Sequence, residues 1–161
     1  METKPAVRGP GGPVPEPEEL MEIAYEVGRD YLRWRPRLAE PDGEGNWIQL
    51  FRADRIGVWA ISWHRMPPGT CYLDHEQVRG AVYVARGALT HERARLGSAP
   101  HTTEIGAGNA FCFDETFYHR MHAARDAGPT VTVHVFATPV APGPASEDEG
   151  PAGPPLRLGL P

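Results

Sequence analysis

The sequence predicts an all-β protein, a sandwich or barrel, with one α-helix ahead of it. The first observation is a series of short β-rich stretches bounded by turn residues, at residues 47–51, 56–63, 81–85, 88–94, 110–113 and 130–136. The second is an amphipathic pattern of helical period at residues 15–37. The third is the length, because 161 residues are enough for one domain with a core and too few for two.

The helix comes first along the chain. Its apolar residues recur at near-helical spacing, and they are Leu20, Ile23, Ala24, Val27, Tyr31 and Leu32. Glutamates cluster at the start of the stretch and arginines at its end, which suits the helix dipole. Residues 38–44 contain Pro and Gly and are predicted to link the helix to the strands. Gly87 marks a tight hairpin between the strands at 81–85 and 88–94.

The two ends of the chain differ in composition from its middle. Many of the 18 Gly and 18 Pro residues fall there. Such segments bury too little apolar surface to order themselves. We therefore predict disordered tails at residues 1–15 and 141–161, on either side of one domain at residues 16–140.

Charge and cysteine content exclude several classes of partner and site. The net charge is −5 and no dense basic block occurs, so no general attraction for nucleic acid or an anionic membrane is expected. The sequence shows no signal-peptide pattern and no apolar run of membrane-spanning length, which leads us to expect a cytoplasmic protein. Cys71 and Cys112 are too few for a disulfide framework, and we predict two thiols that pack as small hydrophobic groups.

Seven histidines are the most informative polar residues, because neutral imidazole is a common ligand of divalent metals. Three are predicted to point into a pocket or the core: His75 at the end of a strand, His119 after a turn, and His134 within an apolar strand. The other four sit beside charged or turn residues and are predicted to lie on the surface. They are His64, His91, His101 and His122.

The order of several short motifs adds a family resemblance. The motifs are Trp63, Pro68-Gly69-Thr70, Asp74-His75, Arg79-Gly80-Ala81, Gly87, His119-Arg120-Met121, and the run from Thr132 through His134 and Phe136 to Pro139. Together they resemble the thiol dioxygenases, the cysteine dioxygenase-like family of the cupin superfamily, over residues 47–140. The resemblance implies a cupin-type β-barrel, or jelly roll, that holds one non-haem Fe(II) through three histidines and takes a small thiol and O₂ as substrates.

The resemblance also assigns roles by position. His75 and His119 become metal ligands, and His134 becomes the histidine that supports the substrate from outside the ligand set. Leu73 stands where the family has its first metal-binding histidine, and Gly80 stands where animal members have a crosslinked cysteine. Phe136 replaces the family's usual tyrosine at the substrate pocket, which removes a phenolic hydroxyl.

The substrate pocket offers a second family pattern. Trp47-Ile48-Gln49 fits the aromatic-x-Gln form of members that act on 3-mercaptopropionate, in place of the aromatic-x-Arg form of cysteine-selective members. Gln49 is therefore a candidate substrate-binding residue. Arg52 is the alternative, because a bidentate guanidinium grips a carboxylate more strongly than a neutral amide does.

The change at position 73 leaves the third metal ligand open. Glu76, Asp74 and Cys71 are the candidates, since two histidines and one carboxylate form a face used by non-haem iron oxygenases. Regular strand alternation turns the side chains of Asp74 and Glu76 away from that of His75. Glu76 is the preferred ligand because the strand is expected to end there, whereas Asp74 is interpreted as a hydrogen-bonding support. Cys71 would need a depressed thiol pKa to ligate.

Four functional hypotheses follow. The first is a metal-dependent oxygenase that acts on the sulfur of a small thiol such as L-cysteine or 3-mercaptopropionate. Its product is a sulfinate or, through a remodelled site, a further oxidised or decarboxylated sulfonate. The second replaces Fe(II) by Ni(II) or another divalent metal. The third is a catalytically inactive cupin that binds a small thiol or carboxylate as a regulatory module, and the fourth is a shared fold with unrelated chemistry. We expect a monomer or homodimer.

Overall fold

Two antiparallel sheets that face each other, with one helix packed on the outside, form the fold. The computed structural model describes residues 13–38, 47–53, 55–63, 71–74, 79–114, 118–137 and 157–159, with only the backbone described at 71–74 and 157–159. Sheet A has the strand order β1-β2-β9-β4-β7 and sheet B the order β10-β3-β8-β5-β6. This arrangement confirms the prediction of an all-β, cupin-type jelly roll with an N-terminal helix.

The elements have the following bounds. The helices are α1 (Pro17–Arg29) and α2 (Tyr31–Trp34), followed by one turn of 3₁₀ helix at Arg35–Leu38. The strands are β1 (Trp47–Ala53), β2 (Ile56–Ser62), β3 (Cys71–Asp74), β4 (Arg79–Arg86), β5 (Ala88–Ala94), β6 (His101–Gly106), β7 (Ala110–Phe113), β8 (Tyr118–Ala123), β9 (Val131–Ala137) and β10 (Arg157–Gly159).

Helix α1 is shorter than the sequence predicts. It begins with Pro17 at its first turn, and the Glu19 carboxylate accepts a hydrogen bond of 3.0 Å from the backbone N–H of Glu16. It ends at Arg29, before the predicted residue 37. The reason is local, because the Trp34 indole N–H donates a 2.9 Å hydrogen bond to the Val27 carbonyl. That bond satisfies a backbone acceptor of the last turn.

Sheet A is buried on both faces, and β9 lies at its centre. Residues 131, 133, 135 and 137 of β9 pack with Leu20 and Ala24 of α1 in one apolar cluster. Phe136, on the opposite face of β9, belongs to a second cluster that fills the space between the two sheets. We call that space the barrel interior. Every residue of β9 is therefore buried, including the polar Thr132 and His134, which alternate with valines and lie on the face of the barrel interior.

Several strands were not predicted from the sequence. β6 has four exposed residues in succession and so lacks an apolar alternation. In β8 only His119 and Met121 are fully buried, which is too short a signal to stand out. β10 pairs with β3 inside a segment predicted to be a disordered tail. Backbone pairing at a sheet edge needs no apolar pattern. The linker at 39–44 and the rest of both predicted tails, apart from residues 13–15, lie outside the described residues.

The length and polarity of the helices bear on whether they could span a membrane. Among the helices that the structure describes, none is long and apolar enough to cross a membrane.

Candidate functional site

The barrel interior holds the candidate site. Its apolar lining is Trp59, Ile61, Trp63, Val82, Val84, Leu89, Ile105, Phe113, Met121 and Phe136. Four polar side chains are buried in contact with this lining or beside it, namely His91, His119, Thr132 and His134. Buried polar groups are costly unless they are satisfied or serve a purpose. The interior is therefore the place where a chemical function has to be sought.

Strand pairing places two predicted residues in one row across sheet A. Gln49 of β1 pairs with Trp59 of β2, which pairs with His134 of β9. Directly paired residues share a face of the sheet, and the Trp59 ring lies in the barrel interior. Gln49 and His134 are two strands apart, about 10 Å across the sheet. The Gln49 Nε2 is buried and has no hydrogen-bond partner within the described residues, so Gln49 is not a solvent-facing strand residue.

The next row contains the other two predicted substrate residues. Arg52 pairs with Gly57, which pairs with Phe136. Phe136 is fully buried, whereas Arg52 is exposed. Phe136 is thus part of the interior wall, and Arg52 lies at its outer edge. The four predicted residues of β1 and β9 thus lie in two successive rows on the same face of sheet A.

His134 ends a buried chain of hydrogen bonds. The Trp63 indole N–H donates to the Thr132 Oγ1 at 2.8 Å, and the same hydroxyl lies 2.7 Å from the His134 Nε2. A threonine hydroxyl that accepts from an indole still has its own proton to donate. Burial lowers the pKa of His134 to about 3. The ring is therefore neutral near pH 7, and its Nδ1 has no hydrogen-bond partner within the described residues.

His119 and His91 form a second buried polar unit. The His91 Nε2 lies 2.8 Å from the His119 Nδ1. The two rings are nearly coplanar, at 11°, with centroids 5.1 Å apart. That separation equals the N···N distance plus one ring radius on each side, so the two nitrogens lie on the line between the centroids. The lone-pair axes point at each other, as in a hydrogen bond, and do not converge on a shared third atom.

The burial of His91 corrects the prediction that it lies on the surface. Its side chain is 6% exposed, and its ring stacks on Phe111 at 4.1 Å. The flanking Glu92 and Arg93 suggested a solvated position. The signal that would have found it is the alternation with Leu89, which is fully buried two residues earlier on the same strand face.

Burial keeps both histidines of this pair neutral. It lowers the pKa of His91 to about 3, with a further contribution from the neighbouring His119. It also lowers the pKa of His119, although the backbone carbonyl of Asp114 opposes the shift. Neutral imidazole is the form that binds metals. A ring whose second nitrogen is held by a hydrogen bond is also the usual environment of a metal-binding histidine.

Aromatic contacts connect the two polar units. The Phe113 ring lies 4.4 Å from that of His119 and 6.1 Å from that of Phe136, which in turn lies 5.9 Å from the His134 ring. Phenyl rings thus line the path from His119 to His134. Their low polarity strengthens electrostatic interactions at the site.

Gly80 explains how these rings pack so closely. A Cβ at this position would lie 2.5 Å from Phe113 Cζ and 3.1 Å from Phe136 Cδ1. The glycine, which the resemblance places where animal members have a crosslinked cysteine, leaves the room that the Phe113 ring fills. The sequence did not predict this steric role.

The remaining predicted ligands fall partly outside the described structure. His75 and Glu76 lie outside the described residues, as does His64. The backbone of β3 runs beside β8, with Asp74 paired to His119 and Leu73 paired to Arg120. Within the part of the chain that the structure describes, no three His, Cys, Asp or Glu side chains are grouped closely enough to hold a metal. His119 alone of the predicted ligands is described with its side chain.

The donor chemistry at His119 fits a divalent metal. The ring is buried and neutral, its Nδ1 is fixed by His91, and its Nε2 is the nitrogen that could coordinate. The other two predicted ligands, His75 and Glu76, follow β3 in the sequence and stay predictions. The choice among Glu76, Asp74 and Cys71 as third ligand stays a prediction.

The two remaining histidines, His101 and His122, and the cysteine Cys112 lie away from the barrel interior. His101 is exposed on β6, as predicted, and His122 is half-buried on β8. Cys112 is a free thiol, half-buried against the cluster of helix α1. Burial, with Glu18 and Asp114, raises its pKa, so it packs as a small hydrophobic group and not as a reactive thiolate.

Comparison with known proteins gives likenesses of fold. No family model matches the chain, and no curated protein matches it. Among solved structures, oxalate decarboxylase from Bacillus subtilis is similar at 15% identity and TM-score 0.44, over 53% of this chain and 22% of that chain. Hydroxypropylphosphonic acid epoxidase from S. wedmorenis is similar at 15% identity and TM-score 0.47, over 55% of this chain and 48% of that chain.

A Co(II) form of HppE in complex with Tris is similar at 13% identity and TM-score 0.47, over 61% of this chain and 57% of that chain. This chain thus spans about a fifth of the oxalate decarboxylase and about half of the epoxidase. Likenesses at these scores carry no argument about function, which rests on the side chains described above.

Proposed function

We propose that this protein is a metal-dependent oxygenase that acts on the sulfur of a small thiol carrying a carboxylate, such as 3-mercaptopropionate or L-cysteine. The reaction adds both atoms of O₂ to the sulfur, RSH + O₂ → RSO₂H, so no further reductant is needed. The observation that carries the proposal is His119, a buried neutral imidazole whose Nδ1 is hydrogen-bonded while its ring lies in the barrel interior.

His75, His119 and Glu76 would hold the metal, with Fe(II) as the preferred ion and Ni(II) or another divalent ion as the alternative. When bound, the metal supplies the redox chemistry with O₂ and a Lewis-acidic position for the thiol. The protein has to bind the thiol, orient it, and keep bulk water away. The phenyl rings of Phe113 and Phe136 beside His119 and His134 serve the last purpose.

Gln49 and His134 are the residues that would bind and orient the substrate. The Gln49 Nε2 is a buried donor without a partner in the described residues, and a ligand carboxylate would satisfy it. If Thr132 donates its proton to the His134 Nε2, the His134 Nδ1 carries the ring proton and is a second donor. Arg52 lies at the exposed edge of the same face and could attract the carboxylate on entry.

A metal-binding measurement tests the proposal first. Purified protein is loaded anaerobically with Fe(II) or Ni(II), and bound metal is measured by mass spectrometry for wild type, H119A and H101A. Wild type and H101A should bind close to one equivalent, and H119A should lose most of it. His101 is a matched control because it is an exposed histidine on the neighbouring part of sheet B. Wild-type protein that binds no metal would contradict the oxygenase.

Oxygen consumption then identifies the substrate. Fe(II)-loaded protein is given 3-mercaptopropionate, L-cysteine and cysteamine, which lacks a carboxylate. The two thiols that carry a carboxylate should drive oxygen consumption, and cysteamine should not. Q49A should raise KM for the carboxylates more than it lowers kcat. Binding of a thiol by calorimetry without oxygen uptake would instead support the alternative, a catalytically inactive cupin that serves as a regulatory module.

A further inference from the structure

The His91–His119 pair has a feature that the proposed function does not use. His91 is not among the predicted ligands, yet it is 6% exposed and hydrogen-bonded to the one described ligand candidate at 2.8 Å. The Phe111 ring stacks on it at 4.1 Å and fixes its orientation. The His91 Nε2 is therefore held in line with the His119 Nδ1.

The hydrogen bond allows two proton arrangements. Two neutral imidazoles in an N···N contact share one proton. If His119 donates its Nδ1–H, the His91 Nε2 accepts, and both rings carry their proton on Nδ1. If His91 donates its Nε2–H, both rings carry their proton on Nε2. Only the first arrangement leaves a lone pair on the His119 Nε2, which a metal ligand requires.

We propose that His91 is a positioning residue for His119: its Nε2 accepts the His119 Nδ1–H and so fixes the His119 tautomer whose Nε2 can coordinate a metal. This inference rests on the proposed function, because it takes His119 as a ligand. The acceptor for a metal-binding histidine is more often a carboxylate or a backbone carbonyl, and here an imidazole can take that role. A neutral acceptor suits the apolar surroundings, since Phe111 and Phe113 offer no compensation for a buried charge.

The tautomer itself can be measured without any metal. Long-range ¹H–¹⁵N correlation spectra of ¹⁵N-labelled, metal-free protein at pH 7.5 distinguish Nδ1–H from Nε2–H rings. We expect both His91 and His119 to be in the Nδ1–H form, with assignments from single variants. Both rings in the Nε2–H form would overturn the inference, whatever the metal-binding result.

Two variants test the consequence for metal binding. H91Q keeps an acceptor, because the amide oxygen can take the His119 Nδ1–H, while H91F keeps the stacking on Phe111 and removes the acceptor. Co(II) is the probe, since its visible absorption reports both affinity and ligand geometry. We expect H91F to weaken Co(II) binding about 10- to 100-fold and to change the spectrum. H91Q should stay within a few-fold of wild type, and the H101F control should match wild type.

The outcomes separate this inference from the proposed function. If wild type binds Co(II) and H91F binds it equally well with an unchanged spectrum, the positioning role is wrong and the oxygenase proposal stands. If wild type binds no Co(II), the proposed function fails, and the tautomer spectra still decide the direction of the hydrogen bond. Urea unfolding of H91Q and H91F establishes that both are folded. Failure of H91Q to rescue what H91F loses would also count against the inference.

Discussion

Gly80 is the residue that makes the tight aromatic packing at the site possible. Its backbone lies against the edge of the Phe113 ring and near Phe136. The sequence identified the position through a family resemblance, which interpreted the glycine as the loss of a crosslinking cysteine. The structure adds a steric role, because the volume of the missing side chain is filled by a phenyl ring. A cysteine would require that ring to move.

We expect the substitution Gly80→Ala to lower the free energy of unfolding by about 1–3 kcal/mol, because the new Cβ would overpack the interior. The matched control is Gly106→Ala, since no atom lies within 4 Å of a Cβ built at Gly106. The control should change stability by less than about 0.5 kcal/mol. Urea denaturation of both variants measures the difference. Equal effects at the two glycines would contradict the packing shown here.

His134 makes stability depend on pH. Its pKa falls from 6.5 to about 3 on burial. Above pH 6.5 the ring is neutral in both states. Below pH 6.5 the unfolded chain gains a proton that the folded protein does not gain until about pH 3, so stability falls across this interval. Among the described residues, Trp63, Thr132 and Phe136 contact His134 and carry no charge that would offset the effect.

The expected loss of stability follows from how far the pH is lowered below the pKa that His134 has in the unfolded chain. Between pH 7.5 and 5.0, wild type should lose about 2 kcal/mol more stability than H134Q. The other buried histidines are present in both proteins, so their contributions cancel in the comparison. Urea unfolding at the two pH values gives the four free energies. Parallel losses in wild type and H134Q would show that His134 is not buried as a neutral ring.

At the scale of elements, helix α1 depends on one close approach to sheet A. Gly28 faces the Tyr83 ring of β4, and a Cβ at Gly28 would overlap that ring. Tyr25, one turn earlier, packs against the same ring with centroids 5.4 Å apart. The helical pattern was predictable from the spacing of Leu20, Ala24 and their neighbours. The end at Arg29 was not, because it depends on where the Trp34 indole lies relative to the Val27 carbonyl.

Gly28→Ala should destabilise the protein although alanine favours helices by about 1 kcal/mol over glycine. The clash with Tyr83 should outweigh that gain and lower the free energy of unfolding by about 1–3 kcal/mol. The sharpest control is the same change in a Tyr83→Ala background, where the ring is absent. There Gly28→Ala should be neutral or stabilising, by up to about 1 kcal/mol. A loss of the same size in both backgrounds would contradict the proposed contact.

At the scale of the whole molecule, the two sheets differ in how well they are covered. Sheet A lies between helix α1 and the barrel interior, and all seven residues of β9 are buried. Edge strand β6 of sheet B has four exposed residues. Local openings cost least where few apolar contacts are broken. The amides of sheet A and sheet B should therefore differ in protection.

Hydrogen exchange measures that difference. The amides at the centre of β9 should exchange only through global unfolding, with the dependence on urea of the whole molecule. Those of β6 should exchange through local openings that urea hardly affects. Mass spectrometry of peptic fragments resolves the two regions. Equal protection in β6 and β9 would contradict the unequal burial.

The sequence predicted the overall fold better than it predicted the site. The apolar runs of β2, β4 and β9 are long enough to be identified on their own, because both faces of sheet A are buried. β6 could not be found this way, because four of its residues are exposed in succession, and β10 was missed because it pairs with β3 inside a segment predicted to be a tail. His119 and His134 were predicted to face a pocket or the core. His91 was missed because its partner is 28 residues away in sequence.

The alternation along β9 has a consequence for how this protein can change. Val133 and Val135 secure the helix, while Thr132 and His134, on the opposite face, form part of the polar chain of the site. The same strand backbone therefore positions both the apolar contacts with the helix and the polar chain. A substitution under the helix that shifts this strand must also shift the hydroxyl and imidazole beside it. In this molecule, stability and the geometry of the candidate site share a single strand and will not vary independently.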